Sequence, residues 1–302
     1  MKKYTRRDFI KTASLAGLAM SAGGLSLLGK VFAAPLPHIG IAKGDSPSAL
    51  VQKAVELIGG MKRFVSRGDV VVIKPNIGWD RTPEQAGNTN PLIVGTLVKM
   101  AFDAGAKVVK VLDNTCNDAR RCYINSGIQA QAKKYGATVL HVEDFRLRDM
   151  NLAGDIIKNW KVYKDFVECD SLINVPILKH HGLAGVTVGM KNWLGAIGGR
   201  RWTLHQNINT TVVDLAAFFK PKLTVLDAYR VLLRNGPQGG SLGDVDLKKT
   251  VAAGVDPVAI DSLGVKLFGA KQSDYGFIEV ASKRNLGQKD LSKVTVKETS
   301  VA

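Results

Sequence analysis

Short apolar runs alternate along this chain with segments whose apolar positions recur every three or four residues. The first pattern predicts β-strands and the second predicts amphipathic helices. Residues 69–74 (DVVVIK) are apolar at nearly every position, which is typical of a strand buried on both faces. The predicted strands are residues 38–42, 69–74, 107–112, 138–142, 171–178, 223–228 and 250–255, and the predicted helices are residues 46–57, 91–104, 128–135, 207–219 and 258–268.

Strands separated by helices predict an α/β fold with a largely parallel or mixed central sheet and helices on both faces. Residues 151–170 lack a helical period and predict a short antiparallel excursion. Asp256 and Pro257 predict the start of the last helix, with aspartate as its N-cap and proline in its first turn. No fixed-period repeat or low-complexity linker interrupts the pattern. We therefore expect one α/β domain over residues 34–302, built of two lobes at most.

The first 33 residues carry the pattern of an export signal. The segment TRRDFIK (residues 5–11) resembles the twin-arginine motif, an apolar stretch rich in Ala, Gly and Ser follows, and VFA (residues 31–33) is a small-residue cleavage pattern. This resemblance implies a signal peptide over residues 1–33, recognition by the twin-arginine translocation machinery, and a periplasmic mature protein. We also expect these residues to pack against nothing in the folded domain.

Composition narrows the classes of function. The chain of 302 residues has 42 Lys and Arg against 26 Asp and Glu, and 45% of its residues are hydrophobic, which excludes a disordered protein. Six of the basic residues lie in the first 33, and the others are scattered singly, so the charge does not favour nucleic-acid binding. No apolar run of about 18 residues occurs beyond position 40, so we expect no transmembrane segment in the mature chain.

The three cysteines leave two interpretations open. Cys116 and Cys122 are close enough in sequence to form a disulfide in an oxidising compartment, with Cys169 left over, or all three are ordinary thiols. The sequence contains no C-x-x-C pair or ferredoxin-like set of cysteines. It therefore predicts no iron–sulfur centre bound by this chain.

Four predicted strands end in polar residues. Because the carboxyl ends of parallel strands meet at one edge of a sheet, these residues are expected to line a ligand pocket there. They are Lys74 and Asn76, Asp113 and Asn114, Lys179 and His181, and Asp227. A segment rich in glycine, residues 182–199, is long enough to fold over that edge, and it would place Thr187, Lys191 and Asn192 there.

Several of these stretches resemble the family catalogued as Domain of Unknown Function 362. The matching stretches are VVVIKPN (70–76), LKHHGLAGVTVGMKNWLGAIGG (178–199), TVLDAYRVLLRNGP (224–237) and AGVDPVAIDSLG (253–264), in the expected order. The family is largely uncharacterised. The resemblance implies a site that contains Lys74, Asn76, His181, Lys191, Asn192, Asp227 and Asp261.

Three chemical interpretations of such a site remain open. In the first, lysines with Arg200 or Arg201 bind a small anion, and a desolvated lysine acts as a general base. Its predicted catalytic residues are Lys74, Lys191, His181 and Asp227, and its ligand-binding residues are Asn76, Asn114, Lys179, Asn192 and Thr187. In the second, His181, His205 and Asp113 ligate a divalent metal. In the third, the chain is a binding or accessory protein that brings a ligand to a redox partner.

The first interpretation is preferred: an enzyme-like site for a small anionic substrate or cofactor at the carboxyl edge of the sheet. A convergence of Lys74, Asn76, His181, Lys191, Asn192 and Asp227 is its central expectation. Asp261 stands inside a predicted apolar helix, where an aspartate is either buried against a partner or functional.

Overall fold

The strongest apolar runs of the sequence form the central strands of one large sheet. The computed structural model describes residues 38–302. Within it, Val70–Pro75 and Ser171–Val175 are buried along almost their whole length. Such strands need helices on both faces of the sheet, because neither face is polar enough for water.

The strands are β1 (Ile39–Gly44), β2 (Val70–Pro75), β3 (Val108–Val111), β4 (Thr138–Val139), β5 (Leu147–Asn151), β6 (Asn159–Tyr163), β7 (Ser171–Val175), β8 (Ile177–His181), β9 (Gly185–Thr187), β10 (Leu223–Leu232), β11 (Val245–Gly254) and β12 (Val296–Val301). The α-helices in the described part of the chain are α1 (Pro47–Leu57), α2 (Pro91–Asp103), α3 (Ala119–Asn125), α4 (Ile128–Lys134), α5 (Asp165–Glu168), α6 (Ile208–Phe219), α7 (Pro257–Phe268) and α8 (Gly276–Lys283). Two 3-10 helices, Lys191–Ala196 and Arg201–Asn207, bear on the site.

The principal sheet has the order β12-β1-β11-β10-β7-β2-β3-β4. Strands β10, β7, β2, β3 and β4 run parallel to one another. Strand β11 is antiparallel to both β10 and β1, and β12 is parallel to β1. The predicted α/β fold with a mixed, largely parallel sheet is confirmed, and the predicted antiparallel excursion is the β5–β6 hairpin.

Alternate side chains along each central strand enter two different cores. Val71 and Ile73 join a core with α1, α2 and α4, whereas Val72 joins a second core with α6, α7 and α8. The helices therefore cover both faces of the sheet. Successive residues of a strand thus face different cores, and residues two apart face the same one, which also decides the side of the sheet on which a polar site residue lies.

One predicted strand, residues 171–178, divides at Pro176. Strand β7 pairs with β2 as far as Val175, whereas β8 pairs with β10 and β9. Proline has no N–H to donate to a strand ladder, so pairing with β2 ends there. The chain then leaves β2, and polar residues of the two strands are free to face one another.

Several helix starts follow the sequence signals closely. The Asp256 side chain accepts hydrogen bonds from the N–H groups of Val258 and Ala259, as an N-cap does. Asn90 caps α2 in the same way, and Pro91 is its first residue. The sequence patterns did not predict α3, α8, β9 or β12, which are short or lie at the edge of the fold.

Three remaining expectations concern export and redox state. The predicted signal peptide, residues 1–33, lies outside the described residues. Cys116, Cys122 and Cys169 form no disulfide with one another. Within residues 38–302, no helix has both the length and the apolar character needed to cross a membrane.

Candidate functional site

A cavity of about 660 Å³ opens at the carboxyl end of β2, where the chain turns away from that strand after β7. The ends of β2 and β3, the β8–β9 hairpin and the two 3-10 helices form its walls. The polar and charged residues that line it are Lys74, Asn76, Asp113, Asn114, Thr115, Lys179, His181, Thr187, Lys191, Asn192, Arg201 and His205. The site therefore lies where parallel α/β sheets generally bind ligands.

A buried ion pair forms one wall of the cavity. Lys74 Nζ lies 2.6 Å from Asp113 Oδ1, and both side chains are almost fully buried. The other carboxylate oxygen accepts a hydrogen bond from the backbone N–H of Ile77 at 2.6 Å. Burial lowers the pKa of Lys74, and the Asp113 charge opposes that change. A pair this well enclosed has a fixed geometry and leaves little charge for a ligand.

The backbone of Gly195 packs directly against this ion pair. A Cβ atom at that position would lie 1.9 Å from Asp113 Oδ1 and 2.8 Å from Lys74 Nζ. No side chain fits there without displacing the pair. Gly195 is therefore needed for close approach rather than for a turn.

Asparagine side chains connect Lys74 to Lys179. Asn192 Oδ1 accepts hydrogen bonds from Lys74 Nζ at 3.0 Å and from Asn76 Nδ2 at 3.1 Å. Asn76 Oδ1 in turn accepts one from Lys179 Nζ at 3.0 Å. Asn192 Nδ2 donates to Asn174 Oδ1 at 2.8 Å. Each amide is oriented by its partners, so the network has a single arrangement.

Lys179 is held by oxygen acceptors, and no carboxylate of residues 38–302 pairs with it. Its ammonium donates to Asn76 Oδ1 and to the carbonyl oxygen of Gly87. Burial lowers the pKa of Lys179 to about 7, and the nearby charge of Lys191 acts in the same direction. Two of its three hydrogen-bond donors are thus used within the protein.

Asp261 fixes the backbone that leads into the 3-10 helix bearing Lys191. It lies inside α7, fully buried, and its two carboxylate oxygens accept hydrogen bonds from the N–H groups of Gly189 (2.8 Å) and Met190 (3.0 Å). Burial raises the pKa of Asp261 to about 7. Asp261 positions Lys191 and Asn192 and does not itself line the cavity.

Lys191 differs from the other two lysines because nothing in the described chain pairs with its ammonium. Its side chain lines the cavity and is 8% exposed, yet no hydrogen bond or salt bridge to it occurs within residues 38–302. Burial lowers the pKa of Lys191 to about 7, with Cys116 opposing this change and Arg201 reinforcing it. An unpaired buried charge is costly, so this position favours an anion from outside the protein.

His181 is a neutral imidazole at the inner edge of the cavity mouth. Its Nδ1 accepts hydrogen bonds from the N–H groups of Leu183 and Ala184, both at 3.2 Å, so the ring proton is on Nε2. Burial lowers the pKa of His181 to about 2, and the charge of Lys191 adds to the effect. The ring stacks on that of His205, with centroids 5.5 Å apart.

Arg201 ties two loops together across the cavity wall. Its guanidinium donates to the carbonyl oxygens of Asn114 (2.9 Å), Leu194 (3.2 Å) and Thr115 (2.7 Å). The Asn114 side chain donates to the carbonyl oxygen of Ile197 and is likewise engaged with backbone. These contacts fix the shape of the wall, and Arg201 adds positive charge to it.

Thr187 contributes a hydroxyl with no partner. The residue is nearly buried and lines the cavity, and its Oγ1 forms no hydrogen bond to any described residue. Buried hydroxyls are normally hydrogen-bonded, and this one has almost no surface open to the cavity, so Thr187 shapes the wall and is not itself a contact for a ligand.

Asp227 does not join the other predicted site residues. Strand β10 continues to Leu232, so Asp227 lies within the strand. Two residues apart on a strand, Asp227 and Val225 point to the same side of the sheet, and Val225 faces the core with α1 and α2. Its carboxylate accepts hydrogen bonds from the N–H groups of Asn90 (2.7 Å) and Tyr229 (3.0 Å). The expected convergence is therefore wrong for Asp227, which holds the N-terminus of α2.

The three predicted metal ligands are also not grouped. His181 and His205 stack on one another, but Asp113 is paired with Lys74. Across residues 38–302, no three or more His, Cys, Asp or Glu side chains are placed to hold a metal ion. The donors in the cavity are mainly amides and amines, a set that suits anions better than hard cations.

Some residues in or beside the cavity were not predicted as site residues from sequence; Asn174 lies beside it and holds Asn192. Asn174 stands in the apolar run SLINV and faces the same side of the sheet as Leu172. The sign of it in the sequence is a single amide side chain within an otherwise apolar buried strand. Trp79 and Trp202 line the cavity. Trp79 follows the end of β2, and Trp202 directly follows Arg201, yet tryptophan alone does not separate a core from a pocket.

The fold and the site together define an α/β protein with a cationic pocket at the carboxyl edge of its sheet. The chain belongs to the family described as Domain of unknown function (DUF362), whose model matches residues 71–266. All of the lysines, asparagines and histidines discussed above lie within the matched segment, as does Asp261.

The proteins to which this chain is similar include a named protein and a protein of solved structure. A thylakoid-associated protein of Synechocystis sp. is 27% identical over 221 residues, which cover 70% of this chain and 67% of that protein. The apoprotein structure of lactate racemase from Thermoanaerobacterium thermosaccharolyticum is 12% identical with a TM-score of 0.44. That match covers 75% of this chain and 56% of the racemase chain, so the chain spans little more than half of its length.

Proposed function

We propose that the cavity binds a small anionic ligand and exchanges a proton with it. The observation that carries this proposal is the Lys191 ammonium: its side chain is buried in the cavity wall, and the ammonium reaches the cavity with no acceptor among the described residues. A ligand carboxylate, phosphate or sulfonate would supply that acceptor. The cost of burying the charge would then be offset when the ligand binds.

The charge balance of the cavity supports an anion. Lys74, Lys179, Lys191 and Arg201 line it, and Asp113 is the one carboxylate among its lining residues. Asp113 neutralises Lys74, while Arg201 is satisfied by carbonyl oxygens. Lys179 and Arg201 donate only to neutral oxygens and keep their charge, and Lys191 is the cation that in addition has no acceptor among the described residues.

Proton exchange follows from the states of Lys191 and His181. With a pKa of about 7, Lys191 is divided between amine and ammonium near neutral pH, as a general base or acid should be. His181 stays neutral and presents its Nε2–H as a fixed hydrogen-bond donor. In this proposal Lys191 moves the proton and His181 polarises an oxygen of the ligand.

The test is anion binding to the Lys191→Met variant. Methionine keeps most of the side-chain volume and removes the charge, so affinity for acetate or inorganic phosphate should fall at least about tenfold. Lys99→Met is the matched control, because it removes the same charge from an exposed position on α2. Titration calorimetry that finds equal affinity in both variants would contradict the proposal.

The competing candidate is a ligand-binding or accessory protein that serves a redox partner. Both candidates bind an anion, but only proton exchange requires a titrating lysine. Under our proposal, proton uptake on anion binding should change between pH 6 and pH 8 in the wild type and fall clearly in Lys191→Met, where Lys179, whose pKa is also about 7, is left to account for any remainder. Binding without any such proton linkage would favour the accessory role.

We further propose that residues 1–33 are a twin-arginine signal and that the mature chain, residues 34–302, works in the periplasm. The paired arginines within TRRDFIK and the cleavage pattern VFA support this. Replacing Arg6 and Arg7 by lysine should hold most of the protein in the cytoplasm, as fractionation would show. A Lys2→Gln, Lys3→Gln variant, altered outside the motif, should still be exported. Normal export without the arginine pair would refute the proposal.

A further inference from the structure

Two segments form the mouth of the cavity and contact one another through stacked rings. One is the β8–β9 turn, which carries His181 and Leu183, and the other is the 3-10 helix that carries Trp202 and His205. The His181 and His205 rings are 15° from parallel, with centroids 5.5 Å apart. The mouth is thus walled by flat rings.

Apolar side chains are exposed at this mouth. Leu183 is 77% exposed and Trp202 is 69% exposed, and both line the cavity. Single exposed apolar side chains are common on proteins, but a pair that flanks one cavity marks a surface that binds something apolar. Phe145, 66% exposed, shows the contrast, because it lies away from the cavity and has Arg146 over its ring.

The cavity therefore changes in character from its inner end to its mouth. The inner part presents the ammonium of Lys191, which has no acceptor among the described residues. The outer part presents indole, imidazole and leucine side chains. A small inorganic anion would satisfy the inner part alone and leave the apolar mouth in contact with water.

We infer that the ligand is an amphipathic anion: a charged group attached to a flat, apolar ring. The anionic group lies at Lys191, and the ring lies at the mouth against Trp202 and the stacked imidazoles. A ring face on an indole gains both buried apolar area and favourable stacking. This inference rests on the proposed function, since the same anionic group satisfies Lys191.

The test compares carboxylates that differ in their apolar part. Acetate, cyclohexanecarboxylate and benzoate carry the same charged group, and titration calorimetry gives their affinities for the full chain. Benzoate should bind at least about tenfold more tightly than acetate, and more tightly than cyclohexanecarboxylate, because only benzoate is flat. Trp202→Ala should remove most of the preference for benzoate and leave acetate affinity nearly unchanged. Phe145→Ala, which removes an exposed aromatic ring elsewhere, should change neither.

The outcomes separate this inference from the proposed function. Equal affinity for acetate and benzoate, with both lost in Lys191→Met, would overturn the amphipathic ligand and leave the anion site standing. A benzoate preference that survives Trp202→Ala would also overturn it. Benzoate binding that is unaffected by Lys191→Met would instead refute the anion site, and the inference would fail with it.

Discussion

Lys74 and Lys191 lie in the same cavity, but their surroundings are opposite. Lys74 has a carboxylate, an amide oxygen and a carbonyl oxygen within hydrogen-bonding distance. Lys191 has none of these within the described chain. Lys74 is fully buried, whereas Lys191 is 8% exposed and its ammonium faces the cavity, so the two differ both in their partners and in access from the cavity. The described residues thus supply hydrogen-bond acceptors for the ammonium of Lys74 and none for that of Lys191.

This contrast divides the site into a framework and a reactive part. The framework consists of Lys74, Asp113, Asn76 and Asn192, whose hydrogen bonds are completed by each other and by backbone. The reactive part consists of Lys191 with the groups near it at the mouth. Charges in a framework stabilise the fold only as a set, whereas an unpaired functional charge lowers stability. The two halves should therefore respond in opposite ways to the same substitution.

The largest effect is expected at Lys74. Lys74→Met leaves Asp113 buried without its partner, and breaking a buried pair in this way costs about 3–5 kcal/mol of unfolding free energy. Urea unfolding followed by circular dichroism measures the loss. Adding Asp113→Leu should restore much of the stability, because two apolar side chains replace the pair. A Lys74→Met variant as stable as the wild type would remove the distinction between the two lysines.

A smaller loss is expected at Gly195, which touches the same ion pair. Gly195→Ala places a Cβ atom 1.9 Å from Asp113 Oδ1, so the pair must shift, and overpacking of this kind costs about 1–3 kcal/mol. Gly243→Ala is the control, since its nearest atom would be Ser241 Oγ at 3.5 Å, an ordinary contact. Similar unfolding midpoints for both variants would show that the framework tolerates displacement.

The sequence predicted the sheet and the edge where the cavity lies, because buried parallel strands have a strong apolar signature. It also identified most polar lining residues, since Lys74, Asp113 and His181 stand at or just past strand ends. It could not place Asp227, because the end of β10 is set by pairing with β11 rather than by local sequence. Four residues of extra strand, 229–232, moved the true end away from Asp227, and alternation along the strand places its side chain on the opposite face.

The partners of each lysine were equally hidden from the sequence. Asp113 meets Lys74 because β2 and β3 are adjacent, a pairing that depends on the order of strands in the sheet. Asp261 reaches the Gly189–Met190 backbone from a helix more than seventy residues further along the chain. Residue type and spacing predict that charged groups gather at an edge. Only the three-dimensional arrangement shows which of them are already satisfied.

An effect of the opposite sign is expected at Lys191. Its pKa is about 7 in the folded protein and 10.5 ordinarily, so the unfolded chain binds more protons between these values. The lysine therefore lowers wild-type stability fully below about pH 7, and this penalty disappears as the pH rises towards 10.5. Lys191→Met should accordingly be more stable than the wild type at pH 6 and should lose that advantage by pH 10. Removing the Lys191 charge also lets the pKa values of Lys179, His181 and His205 rise towards their ordinary values, which stabilises the methionine variant in the same direction. Guanidinium unfolding at the two pH values measures the difference in stability. A methionine variant that is less stable than the wild type at pH 6 would mean that Lys191 is paired in solution, and the contrast with Lys74 would be lost.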